Sequence, residues 1–142
     1  MKSADIASYN YDHSMDDYKS FDINGEEYRV KRFDAFTGMS VAKTVWKHTL
    51  GKELPKDITL ENMFMVMAMQ FMTNAELETV GKQAVKVCEK HLKAGWTAIV
   101  DKSGNYKIPE LETDSAAIIV IMREAVLFGT SDFFTAMNSI LK

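Results

Sequence analysis

The stretch from Leu60 to Met72 reads LENMFMVMAMQFM, and no other part of the chain restricts its folding as strongly. Met63, Met65, Met67, Met69 and Met72 fall within it, half of the ten methionines present, with Phe64 and Phe71 between them. Wound at the helical period, the segment divides into two apolar stripes. Leu60, Met63, Phe64, Met67 and Phe71 lie on one, and Met65, Met69 and Met72 on the other. A helix apolar on two sides must be covered on two sides. One stripe can meet the chain's own core. The other needs a second layer, a sister subunit or a client. Methionine is unbranched and polarizable, so a face built from it can repack around partners of different shape. The double change Met65→Glu, Met69→Glu separates these uses. Loss of folding marks core, and loss of an oligomer or client from a folded protein marks an interface.

Local signals along the chain alternate between strand and helix. Residues 1–18 read as a flexible acidic tail, because Asp5, Asp12, Asp16 and Asp17 alternate with Ser, Asn and Tyr without an apolar period. A single α+β domain is expected over 19–142. Phe21 and Ile23 flank Asp22 and lead into Asn24-Gly25, beyond which Tyr28 and Val30 alternate with charged residues. That pattern predicts a hairpin, since both turn positions need positive φ. Asp34 to Leu50 predicts a helix with Ala42, Val45, Trp46 and Thr49 on its buried face, Lys43 and Lys47 on its wet face and Gly51 as C-cap. The linker KELPKDI follows, with Pro55 forbidding a continuous helix. Thr59 is placed to cap the Met-rich helix, and Thr73 with Glu76 fits a capping box. The helix from that box is expected to run to Ala94, closed by Gly95, with Leu77, Val80, Ala84, Cys88 and His91 as its buried stripe.

A second hairpin is expected from Trp96, Ala98 and Val100, turning at Lys102-Ser103-Gly104-Asn105 and returning through Tyr106 and Ile108. Asp114 is placed to cap SAAIIVIMREAVLF, which is apolar almost all round and should be the central helix, ending at Gly129. Ser131 would cap a final helix with Phe133, Phe134, Met137, Ile140 and Leu141 on one side. The expected fold is α+β, mainly helical, with about five helices and two short β-hairpins.

The chain has 142 residues, enough for one domain with a substantial core. Its net charge of −3 lacks the basic footprint of a nucleic-acid binder, so no nucleic-acid partner is expected. The single cysteine, Cys88, permits no intramolecular disulfide and suits a reducing compartment. The first twenty residues lack an apolar signal-peptide core. The longest apolar runs, Ala116 to Met122 and Ala125 to Phe128, are split by Arg123 and Glu124 and are too short to span a bilayer. A soluble cytoplasmic protein without a membrane partner is expected.

Candidate chemistry is sparse. His13 sits among Asp12, Asp16 and Asp17, a set that reads as solvated tail, and His48 lies near a helix end, where it can favour the dipole. Cys88 and His91 are three apart and could share a helix face, but zinc needs four ligands and catalysis needs a base with its orienter. Glu110, Glu112 and Asp114 read as a loop entering a helix cap. Leu50-Gly51-Lys52 lacks the rest of a P-loop, and GxGxxG and GxSxG are absent. No catalytic residue, metal or cofactor is therefore expected, and the protein is read as a non-enzymatic binder. Met65, Met69, Met72, Phe133, Phe134 and Met137 are the candidate client or oligomer interface.

Four stretches carry a resemblance: the opening FDINGEEYRVKRFDAFTGMSVAK, the Leu-, Met- and Phe-rich middle, the helix ending in KAGW, and MREAVLFGTSDFFTAM. Over about residues 20 to 142 the chain resembles the tail assembly chaperones of long-tailed bacteriophages and related prophages. The resemblance implies a protein of the host bacterial cytoplasm that coats the long apolar tape measure protein before tail tube subunits polymerise around it. It further implies self-association into rings or filaments, and a longer form of the same chain made by programmed frameshift, with this chain as the short form. It implies no catalytic residues. The alternative is a structural tail or head-completion adaptor retained in the virion, which finding the chain in purified particles would favour. A third reading is a small enzyme with a site assembled from scattered residues.

Overall fold

The structure is a computed structural model and describes residues 17–49 and 57–140. β1 (Tyr18–Ile23) and β2 (Glu26–Lys31) form the expected antiparallel hairpin. Asn24 and Gly25 both take positive φ, 52° and 81°, as its two-residue turn requires. α1 (Ala35–Trp46) starts where the Asp34 carboxylate accepts the Thr37 N–H and hydroxyl. Ala42, Val45, Trp46 and Thr49 are buried and Lys43 and Lys47 exposed, as the periodicity predicts. The tail to residue 16, the Gly51 cap, the linker to Lys56 and Leu141 lie outside the described residues. Tyr18, assigned to the tail from sequence, is the first residue of β1.

α2 (Leu60–Val66) is capped by Thr59 and runs into a wide π turn, Met67–Phe71. α3 (Asn74–Lys86) opens on the full capping box, with Thr73 and Glu76 exchanging hydrogen bonds. It stops well short of Ala94, however. Residues 88 to 92 are β3 (Cys88–Leu92), paired with β2 on one side and with β4 (Gly95–Ala98) on the other. The spacing of four that carries the helical stripe from Ala84 to Cys88 is equally compatible with alternation, although His91 then leaves the buried face, and β2 offers Tyr28–Val30 an unsatisfied ladder that only a strand can complete. The Lys31 N–H donates to the Val87 carbonyl at 3.0 Å and closes the junction.

The second hairpin is therefore β3–β4, not the one expected around Gly104. The Tyr106 stretch meets Val100 in an isolated bridge only, across a loop whose amides at Ser103 and Asn105 donate to Asp101. A 3-10 turn (Pro109–Thr113) leads to Asp114, which caps α4 (Ser115–Ile140) by accepting the Ala117 N–H. Gly129 does not end this helix. Phe33 packs against it so closely that a Cβ there would lie 2.6 Å from the ring, so the glycine serves close approach rather than termination. Among the described residues there are four α-helices and one four-stranded antiparallel sheet, ordered β1-β2-β3-β4. The class is α+β, but neither the count of about five helices nor the two separate hairpins of the sequence reading holds.

α4 is the central element, as its sequence predicts. Ala117, Ile121, Ala125, Val126, Leu127 and Phe128 are buried against α1, α3 and the inner sheet face. Trp46 reaches α4 by donating Nε1–H to the Thr130 hydroxyl at 2.9 Å, and that hydroxyl donates to the Val126 carbonyl. Glu124, 5% exposed, pairs with Lys19 of β1 at 3.0 Å. No helix among the described residues is long and apolar enough to cross a membrane.

Candidate interaction surface

The polar constellations weighed from sequence do not converge. On β3, Cys88 faces the core while His91, an odd number of residues on, faces out beside the Trp96 ring at 5.0 Å. The two cannot act together. Burial, and then the charge of Glu89, pushes the Cys88 thiol up to about 12, so little thiolate exists near neutral pH. Glu110 and Glu112 are exposed on the 3-10 turn, and Asp114 is committed to its cap. Among the described residues no group of three His, Cys, Asp or Glu side chains could hold a metal ion.

What the fold presents instead is apolar. Met69 is 69% exposed and Phe71 48%, both on the π turn. The turn explains why Phe71, assigned to the core stripe, lies outside. Each π turn adds a residue to the helical repeat, so the stripe that follows Met67 rotates away from the core. The same rotation carries Met72, assigned to the outer stripe, into the core. The Phe71 ring packs 5.6 Å from that of His48, joining the turn to the end of α1.

The six predicted interface residues are thus dispersed. Met69 is open and Met65 half-buried, while Met72 is core. Phe134 is fully buried with its ring 5.0 Å from Trp46, and Phe133 and Met137 are half-buried beside it on α4. Ile140, further along α4, is 71% exposed. The sequence reading missed Phe36 and Met39, which are exposed on the α1 face that also carries Lys43. The signal was an apolar pair at i and i+3 on a face otherwise assigned to water.

The outer sheet face carries a different cluster. The Arg29 guanidinium lies between the rings of Tyr18 at 3.7 Å and Trp96 at 4.3 Å and is held by Glu89 at 2.6 Å. On the inner face Lys90 is nearly buried, pairs with Glu26 and lies over Tyr28. Its ammonium is held above the ordinary lysine range, chiefly by the hydrogen bond to Glu26. Both sets brace strands against one another. No protein-family model, curated protein or solved structure matches the chain.

Proposed function

We propose that the protein is a non-enzymatic tail assembly chaperone of the phage or prophage type, acting in the host cytoplasm, which holds an apolar tape measure protein before tail tube subunits polymerise around it. The observation that carries this reading is the exposure of Met69 and Phe71 on a turn that directs them away from a core able to bury their neighbours. A tape measure precursor exposes long apolar stripes, and its holder must bind many similar sites and then release them. Flexible Met and Phe side chains offer contact area without demanding one shape. Each side chain newly buried contributes on the order of 1.5–3 kcal/mol. One or two per subunit, repeated over an oligomer of the chain and its frameshifted longer form, give avid but displaceable binding.

Co-expression with the long coiled-coil-like protein encoded downstream, followed by affinity capture and sizing, tests the proposal. The partner becomes soluble and co-elutes with many copies of this chain, and Met69→Glu combined with Phe71→Glu abolishes this while the protein stays folded. If the partner still aggregates and the chain elutes alone, the proposal fails.

A further inference from the structure

β2 joins two ends of opposite charge, running from Glu26 and Glu27 beside the hairpin turn to Lys31. The strand rises ~17 Å between them. At the Lys31 end lies a notch of about 480 Å³ whose walls include Lys31, Arg32, Phe33, Asp34 and Lys86. Lys31 and Lys86 are exposed and form no ion pair with any described residue. Asp34 is committed to capping α1. Arg32 is engaged by the Phe128 carbonyl and lies 4.0 Å from Asp132. The notch therefore holds two ammonium groups whose charge no described neighbour answers.

The hairpin end is acidic. Asp22, Glu27, Glu110 and Glu112 are exposed there. Glu26, Glu110 and Asp114 wall one hollow of about 160 Å³ against the hairpin, and Lys90 in that hollow is spent on Glu26. The 3-10 turn presents Glu110 and Glu112 to solvent because Leu111 between them is buried. At three residues per turn the two carboxylates point ~120° apart, one on each side of Leu111. The two lysines likewise come from separate walls, one ending β2 and one in the last turn of α3. Charges of opposite sign on two surfaces that share no residue suit a head-to-tail contact, not a twofold one.

We infer that copies of this chain associate head to tail, the acidic 3-10 turn of one entering the notch between Lys31 and Lys86 of the next. Such a contact repeats, giving a ring if its rotation closes and a filament if it does not. Exposed ion pairs are individually weak and screened by salt, so a single contact is short-lived and gains by repetition. The contact uses neither Met69 nor Phe71. It supplies the oligomer that the chaperone reading calls on, but it rests on charge placement and is tested without a client.

Analytical ultracentrifugation of the full chain alone is the test. The weight-average mass should rise with protein concentration at about 0.01 M salt and fall to that of the monomer at about 1 M. Lys31→Glu with Lys86→Glu should abolish association, and so should Glu110→Lys with Glu112→Lys, with the parent's circular dichroism retained because all four side chains are exposed. Mixing the two variants should restore association, since each notch then meets a turn of opposite sign. Glu110→Gln with Glu112→Gln, which introduces no new charge, should weaken association in the same direction. A chain that stays monomeric at low salt, or one whose association ignores both pairs of changes, overturns the inference. Failure of the mixed variants to associate overturns it as well and moves the contact to another face. Capture of a client by monomeric chain would sink this contact and leave the chaperone reading standing.

Discussion

At the scale of single residues, two side chains show how a distant neighbour sets a local requirement. Gly129 sits in mid-helix, where glycine normally costs stability, because the Phe33 ring occupies the space of a side chain. Gly129→Ala should destabilise by about 1–3 kcal/mol through overpacking, measured by urea unfolding, with Phe33→Leu recovering part of the loss in the same background. Glu76 is held below the ordinary carboxylate range by the Lys47 ammonium and by the Thr73 N–H of the capping box. A depressed folded-state value means that its contribution is present above the unfolded pKa and lost as pH falls through the folded one. Melting temperature should therefore fall as pH drops below the usual carboxylate range, and Glu76→Gln should flatten that part of the profile. The capping box was readable from the sequence, because Thr73 and Glu76 are three residues apart and need nothing else to meet.

At the scale of elements, the Met-rich helix is the place where periodic reading failed most usefully. The residues up to Met67 obey the helical period, and Leu60, Met63, Phe64 and Met67, which share a stripe, are all core. The π turn then shifts the register, exchanging the expected places of Phe71 and Met72. Met69→Glu should leave stability within about 0.5 kcal/mol of the parent. Met72→Ala should cost about 2–5 kcal/mol, and chemical denaturation of the two variants separates these outcomes. The α3–β3 junction failed for a different reason. Val80, Ala84 and Cys88 are spaced like a helix stripe and all three are buried, yet Cys88 reaches the core from a strand. A spacing of four satisfies both periods, and only the partner on β2 distinguishes them.

At the scale of the whole molecule, α4 ties the layers together, and its C-terminal half decides which predicted interface residues are available at all. Phe134 is fully buried against Trp46, so Phe134→Ala should cost about 3–5 kcal/mol, read as a lowered calorimetric transition. A residue reserved for a client would leave that transition unchanged. Of the six candidate residues Met69 is the most exposed, with Phe71 also exposed on the same π turn. Local sequence was enough for the first hairpin, the N-caps Thr59, Thr73 and Asp114, the buried face of α1, the central place of α4 and the apolar character of the Met-rich stretch. Each rests on a backbone conformation or a hydrogen bond between residues a few positions apart, or on one uninterrupted period. Long-range packing makes residues 88–92 a strand, turns Gly129 into a contact point and buries Phe134 while Phe71 faces out. Those outcomes depend on Tyr28–Val30, Phe33 and Trp46, which lie tens of residues away and contribute a ladder, a ring and a packing surface that no local pattern encodes.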